Sequence, residues 1–473
     1  MNLYQNDFCI LTEKLTETHP NIYHAVGEAQ IELEKERIKS LLTDVEDDFQ
    51  AKILYQQFVR NIKDGHTSLL YFYGIKEDRF GIIIEKTGND FYIKNIHTDY
   101  PEELIGQKII QIADLPAMDV YQKIAVVICS DNVYGEEKTF SNHFANCPSI
   151  YKRLGITDNE CLTLLTENGT TAVIRTYANP TFYTPKKEGF TKQSDYHFDY
   201  KIKDKICYFQ YNSCFDQQTA DYYKDSGMFK GDILDYFDKQ AKEKGGDFRD
   251  FLNRMFYDID KEEVRHLIID LRNNSGGNSS LNDQLLCCIL EDNQEICCGR
   301  VNRKVSSLVK ECRPEQFSYY MNDKDEKDLP FFFKSEQLKT NSFMFHDPES
   351  SFYFKPSFKF KGQVYLLIGK KTFSSAAMLA NVMSDNKLAI TIGEATSGKP
   401  SHYVDALQFT LPATGTTVQV SYSEFFRPDE SKNDEEALYP DYLVLQDIKA
   451  LHFKGIDTVF EKALELTLQR TQK

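Results

Sequence analysis

The sequence predicts an α/β protein of several domains, in which a helical N-terminal segment and a β-rich middle domain precede an α/β core. Three observations lead there. The chain has 473 residues, too many for one ordinary core. Its hydrophobic period changes from helical to short alternating runs near His66. From residue 195 onward, continuous apolar runs are each followed by a helical pattern, which suggests strands buried on both faces.

Residues 1–67 form the predicted helical segment. Phe49, Ile53, Leu54, Phe58, Val59 and Ile62 recur at helical spacing, and Thr43-Asp44-Val45-Glu46 has the form of a capping box that would start their helix. The helix should end near Asp64-Gly65, where glycine permits a left-handed exit. Residues 68–178 are β-rich, with runs such as Phe80-Gly81-Ile82-Ile83-Ile84 and Phe91-Tyr92-Ile93. Residues 179–194, with Pro180, Pro185 and the Lys186-Lys187-Glu188 charge cluster, break the period and read as a linker. Residues 195–473 carry the predicted core strands, around Ile206–Phe209, His266–Leu271, Val364–Ile368 and Leu388–Ile392. A Phe-rich, charge-interrupted stretch from about Arg313 to Lys361 is either a loop-rich insertion or part of a substrate groove.

Composition narrows the function classes. A hydrophobic fraction of 41% and an aromatic fraction of 13% describe a globular chain rather than a disordered one. The net charge of −16 argues against a general nucleic-acid binder, since that binding needs Lys and Arg to neutralise phosphates. No stretch approaches the ~18 consecutive apolar residues of a membrane span. With no basic-then-apolar leader pattern, a native start at Met1 would make the protein cytoplasmic; a trimmed signal would place it outside. The 11 cysteines include the adjacent doublets Cys287-Cys288 and Cys297-Cys298, which lack zinc-site spacing and read as small apolar side chains.

Three features could carry chemistry. In Asp270-Leu271-Arg272-Asn273-Asn274-Ser275-Gly276-Gly277-Asn278 a buried strand runs into a glycine pair, whose amides could face a cavity and hold an oxyanion. Ser374 follows an apolar strand and opens a helix, so its hydroxyl feels the positive helix end and the next N–H is available as an oxyanion donor. A serine there equally suits an ordinary N-cap. A nucleophilic serine needs a base. His66, in Asp64-Gly65-His66-Thr67, titrates near neutrality unaided. Lys399, in Gly398-Lys399-Pro400, would serve only if desolvation depressed its pKa.

Taken in order along the chain, these motifs resemble the C-terminal processing, or tail-specific, serine peptidases, including the tricorn-core and interphotoreceptor retinoid-binding-protein branches. The resemblance implies a PDZ-like middle domain around Leu104–Ile110 and a crotonase-like α/β catalytic core. It also implies Ser374 as nucleophile, with Ser375 N–H and the Gly276-Gly277 backbone as oxyanion donors. One branch pairs the serine with a lysine, which resembles Lys399. The tricorn-like branch pairs it with a histidine, which resembles His66, helped by a glutamate near Pro440-Asp441, for which Glu435 is the nominee. The Asp-Gly-His-Thr motif favours His66. Two positions depart from the pattern: Ala377 stands where an acidic residue is common, and Gly65 stands where the tricorn-like branch has a serine.

The expected function is therefore hydrolysis of peptide bonds in polypeptides or oligopeptides, with no metal or organic cofactor implied and the oligomeric state open. The rival from another class is a non-catalytic peptide- or lipid-binding protein on the same scaffold, motivated by Ala377 and Gly65. An acyl-CoA enzyme is a third reading, disfavoured because no nucleotide site is visible. In the middle domain, Phe80-Gly81-Ile82-Ile83 is either a loop and strand that capture a peptide carboxylate or a buried hairpin.

Overall fold

The four apolar runs of the second half become the centre of one six-stranded sheet. Ile206–Tyr211, His266–Asp270, Gln363–Ile368 and Ala389–Gly393 lie parallel in that order. Phe198–Lys203 pairs antiparallel at one edge and Tyr442–Leu443 parallel at the other. Period-two alternation sends Leu267, Ile269, Leu366 and Ile368 to one face, in a core shared with helices Phe248–Lys261, Ser280–Ile289 and Ser375–Asp385. Ile268, Tyr365 and Leu367 face the other way, under Val459, Phe460 and Ala463 of the helix Thr458–Thr471. A sheet covered on both faces explains why its strands are apolar throughout.

The computed structural model describes residues 1–186, 191–225, 232–291, 294–322, 324–339 and 354–471. The Lys187-Glu188 part of the predicted charge cluster and the 340–353 part of the Phe-rich stretch lie outside them.

A second six-stranded sheet is antiparallel. Its strand Thr417–Phe426 pairs along one side with His402–Thr410 and along the other with Ser68–Leu69 and Cys297–Val305. The outer edge of His402–Thr410 carries no strand among the described residues. Ser68–Leu69 thus joins this sheet, and the sheet of the middle region spans Arg79 to Tyr177 with seven antiparallel strands. The N-terminal helices, the middle sheet and the inner face of the second sheet share one core, from Phe8 and Leu11 through Ile82 and Ile84 to Val418 and Val420.

Two local expectations change. The helix carrying Phe49 and Phe58 runs Asp48–Arg60, and its cap is Asp47, whose carboxylate accepts the Gln50 N–H at 2.8 Å and also pairs with Arg153. Thr43 therefore caps nothing here; a carboxylate nearer the apolar run takes the role. The exit comes at Asn61, with the left-handed residue at Lys63 (φ 57°) rather than at Gly65. In the middle region, the Phe80 and Gly81 amides donate to the carbonyls of Asn146 and Arg175 at 3.0 Å each. Neither is free for a carboxylate, and Ile82–Thr87 forms the buried hairpin with Asp90–Ile96.

Candidate active site

Ser374 sits where the parallel strand Gln363–Ile368 gives way to the helix Ser375–Asp385, at φ 52° and ψ −129°. A non-glycine residue so placed costs of order 1–3 kcal/mol and persists only where the surroundings enforce it. They do so by close packing. A Cβ on Gly276 would lie 2.7 Å from Ser374 Cβ, and one on Gly398 would lie 3.3 Å from Phe373 and 3.4 Å from Ala377. The Phe373 N–H donates to the Asn274 carbonyl at 3.2 Å, and Thr372 Oγ1 donates to the Leu271 carbonyl at 2.9 Å. The elbow is thus tied to the loop after the neighbouring strand, at the carboxyl ends of two adjacent parallel strands, where α/β sheets form their sites.

His66 Nε2 lies 3.0 Å from Ser374 Oγ, although 308 residues separate them. The ring stacks on Phe373 with centroids 4.5 Å apart. The backbone of the His66 loop is held by two buried carboxylates. Asp64 Oδ1 accepts the His66 N–H at 2.9 Å and lies 3.8 Å from Nδ1, which has no hydrogen-bond partner among the described residues. Asp64 Oδ2 is held by His19 Nε2 at 3.2 Å, Thr67 Oγ1 at 2.5 Å and Ser421 Oγ at 2.7 Å. Although its burial disfavours charge, hydrogen bonding to His19 and the two neighbouring imidazoles hold Asp64 below the usual carboxylate range. Asp131 takes the Gly65 N–H at 2.6 Å and the Lys399 N–H at 3.1 Å, bridging two loops of the site. Burial lowers the pKa of His66, partly offset by the Asp64 charge. His66 therefore rests as neutral imidazole, the form that can accept a proton.

The amides nominated as oxyanion donors separate into two groups. Gly277 N–H and Ser375 N–H have no partner among the described residues and flank Ser374. Ser375 Oγ donates to the Gly277 carbonyl at 2.6 Å, fixing that peptide. Gly276 N–H, by contrast, donates to Asn274 Oδ1 at 2.8 Å, so the expectation that it serves as a third oxyanion donor changes: its side-chain position must be empty to let the elbow approach. At φ 135°, Gly277 tolerates no Cβ either, since one would fall 2.3 Å from the Cys214 carbonyl oxygen.

The sequence model of Peptidase family S41 matches residues 234–444, a span that holds Ser374, Ser375 and both glycines. The chain carries an S41 peptidase domain. The serine-peptidase class expected from the sequence is borne out by this match. Among solved structures, mature CPAF complexed with lactacystin is 14% identical over 99% of each chain, with a TM-score of 0.66. Mature CPAF itself is 14% identical over 96% of this chain and 95% of that one, at 0.61. The photosystem II D1 C-terminal processing protease is 11% identical over 94% of each chain, at 0.42. No curated protein matches by sequence.

Outside the matched span, His66 reaches Ser374, whereas the side chains of Lys399 and Glu435 are engaged elsewhere. Lys399 Nζ pairs with Glu436 at 3.0 Å; what Lys399 gives the site is its backbone N–H, held by Asp131. Glu435 accepts from Arg427 at 2.5 Å, and Arg427 is also clamped by Asp385 at 2.6 Å, so Glu435 balances a buried guanidinium. Asp441 binds the Thr391 N–H and hydroxyl at 2.8 and 2.9 Å. Both departures from the family pattern have steric causes. A Cβ at Gly65 would lie 2.9 Å from Phe373 and 3.0 Å from Asp131 Oδ1, and Ala377 is fully buried against the Gly398 turn. Asp64, Asn274 and Asp131 were not nominated from the sequence; the first two sat inside motifs already singled out, whereas Asp131 lies in no recognisable pattern.

The S41 elbow is also braced from the middle region. Lys370, four positions before Ser374, is buried, with Nζ 2.9 Å from Glu137 and 2.8 Å from the Lys86 carbonyl. Glu137 pairs with Lys86 Nζ at 3.0 Å as well, so one buried carboxylate serves two buried ammonium groups. Glu137→Gln leaves Lys86 without a carboxylate and Lys370 with only the more distant Glu394, at 3.7 Å, and is expected to cost about 3–5 kcal/mol of stability and to lower kcat through the elbow. Thermal unfolding together with steady-state kinetics checks this, and an unchanged Tm would contradict it.

Proposed function

We propose that Ser374 is the nucleophile of this peptidase, His66 its general base, and Gly277 N–H and Ser375 N–H its oxyanion donors. The observation that carries the assignment is the 3.0 Å approach of His66 Nε2 to Ser374 Oγ at a strained strand-to-helix elbow. In this reading Ser374 Oγ attacks the peptide carbonyl carbon as its proton passes to Nε2. The carbonyl oxygen takes the negative charge between the two amides. Imidazolium then protonates the departing amine, and a water, deprotonated by the same nitrogen, releases the acyl group. Asp64 stabilises the imidazolium across 3.8 Å and holds the His66 backbone.

The substrate is a polypeptide in extended form. Val404, Asp405, Ala406, Leu407 and Gln408 all line the cleft of about 500 Å³ that contains Ser374 and His66. Consecutive residues of a strand line a cleft when its backbone edge faces it. The open edge of His402–Thr410 offers main-chain hydrogen bonds to a peptide strand.

A fluorophosphonate that labels the wild-type chain but not Ser374→Ala tests the nucleophile. The base is tested by hydrolysis of an unstructured peptide. Lys399→Ala removes a half-exposed ion pair worth ~0–1 kcal/mol and is expected to keep kcat/KM within about threefold of wild type. A loss in Lys399→Ala as deep as that in His66→Ala would overturn the assignment.

A further inference from the structure

The cleft that holds Ser374 also holds Arg303, Arg313 and, among the described residues, a single carboxylate, Asp405. Arg303 Nη2 is 3.7 Å from Asp405 Oδ2, so those two charges offset each other. The Arg313 guanidinium has only a hydrogen bond to the adjacent Cys312 carbonyl, at 3.2 Å, and no carboxylate partner among the described residues. Its backbone is fixed where helix Ser307–Cys312 meets helix Pro314–Met321, with its N–H donated to the Val309 carbonyl at 2.7 Å. The Tyr422 hydroxyl, in the same cleft, donates to Gln316 Oε1 at 3.0 Å. A chain with a net charge of −16 thus presents a half-buried guanidinium in the same cleft as Ser374.

We infer that Arg313 selects substrates by binding a carboxylate of the peptide, so that acidic peptides are the preferred substrate class. The inference rests on the cleft being the peptide site proposed above. A guanidinium matches a carboxylate with two parallel N–H donors, and a half-buried pair is stronger than a fully exposed one. The carboxylate comes either from a Glu or Asp side chain near the scissile bond or from the peptide C-terminus.

The test uses Ser374→Ala, which binds without cleaving, and fluorescence anisotropy with labelled extended peptides. In one series Glu replaces Gln at each position in turn; in the other a free C-terminus is compared with its amide. In at least one pair the acid should bind about tenfold more tightly. Adding Arg313→Gln should reduce the ratio to within about twofold while leaving the affinity for the neutral peptide unchanged, which also shows that the double variant is folded. Arg313→Lys should keep an intermediate ratio. No discrimination in either series, or discrimination that survives Arg313→Gln, overturns the inference. Turnover by the wild-type chain tests the peptidase assignment separately. Selective binding without turnover would uphold Arg313 and remove the nucleophile assignment, and turnover without selectivity would do the reverse.

Discussion

Ser374→Ala will lower peptide hydrolysis by about 10⁶-fold, to the level that binding and the oxyanion amides sustain without a nucleophile. No neighbouring hydroxyl can stand in. Ser375 Oγ is spent on the Gly277 carbonyl, and Thr372 Oγ1 on the Leu271 carbonyl. The loss should appear in kcat and leave KM nearly unchanged, because the serine touches the substrate chiefly in the reacting state. Alanine suffers the same left-handed strain as serine at this elbow, so the variant should unfold at nearly the wild-type temperature. Single-turnover kinetics with an internally quenched peptide measure the effect; a variant within tenfold of wild type would mean that another group attacks.

His66→Ala will fall by a comparable factor, and the wild-type pH profile should identify the same group. The base works only when neutral. Burial lowers the His66 pKa, with the Lys138 ammonium adding to the effect and Asp64 opposing it. Lys138 also sits 4.5 Å from the centre of the Phe373 ring on which His66 stacks. A lowered pKa keeps the imidazole unprotonated as the pH falls through ~6.5, so kcat/KM should hold there and drop only at more acidic pH. The His402 ring lies parallel to His66 at 6.1 Å, and burial and the His66 charge push its pKa down to about 4. An acid limb centred above 6.5 would show that the titrating group is not a buried histidine.

Much of the scaffold was legible because it depends on short-range pattern. The four apolar runs announced the parallel strands within a residue or two, and the glycine pair and the Ser374 turn lay at strand ends where the sheet brings them together. Pairings across long separations were not legible. His66 and Lys399 have equally plausible local sequences, and only the docking of the N-terminal segment brings one of them to the serine. Glu435 looks free in sequence because its partner Arg427 is also bound to Asp385, from a different helix. The second carboxylate of the His66 loop, Asp131, comes from the middle region, and its role depends on accepting two amides from two other segments. Gly65 and Ala377 read as missing functional groups until the neighbours that crowd them are known.

The His66 to Ser374 contact has a consequence for the order in which the chain is made. The imidazole leaves the ribosome early, and 308 further residues must follow before the hydroxyl exists. The Thr417–Phe426 strand that holds the His66 segment arrives later still. A nascent or prematurely terminated chain therefore carries either the proposed base without the proposed nucleophile, or both before the strand that anchors the base is present. In the proposed reading, a chain that ends before Thr417 is expected to lack hydrolysis.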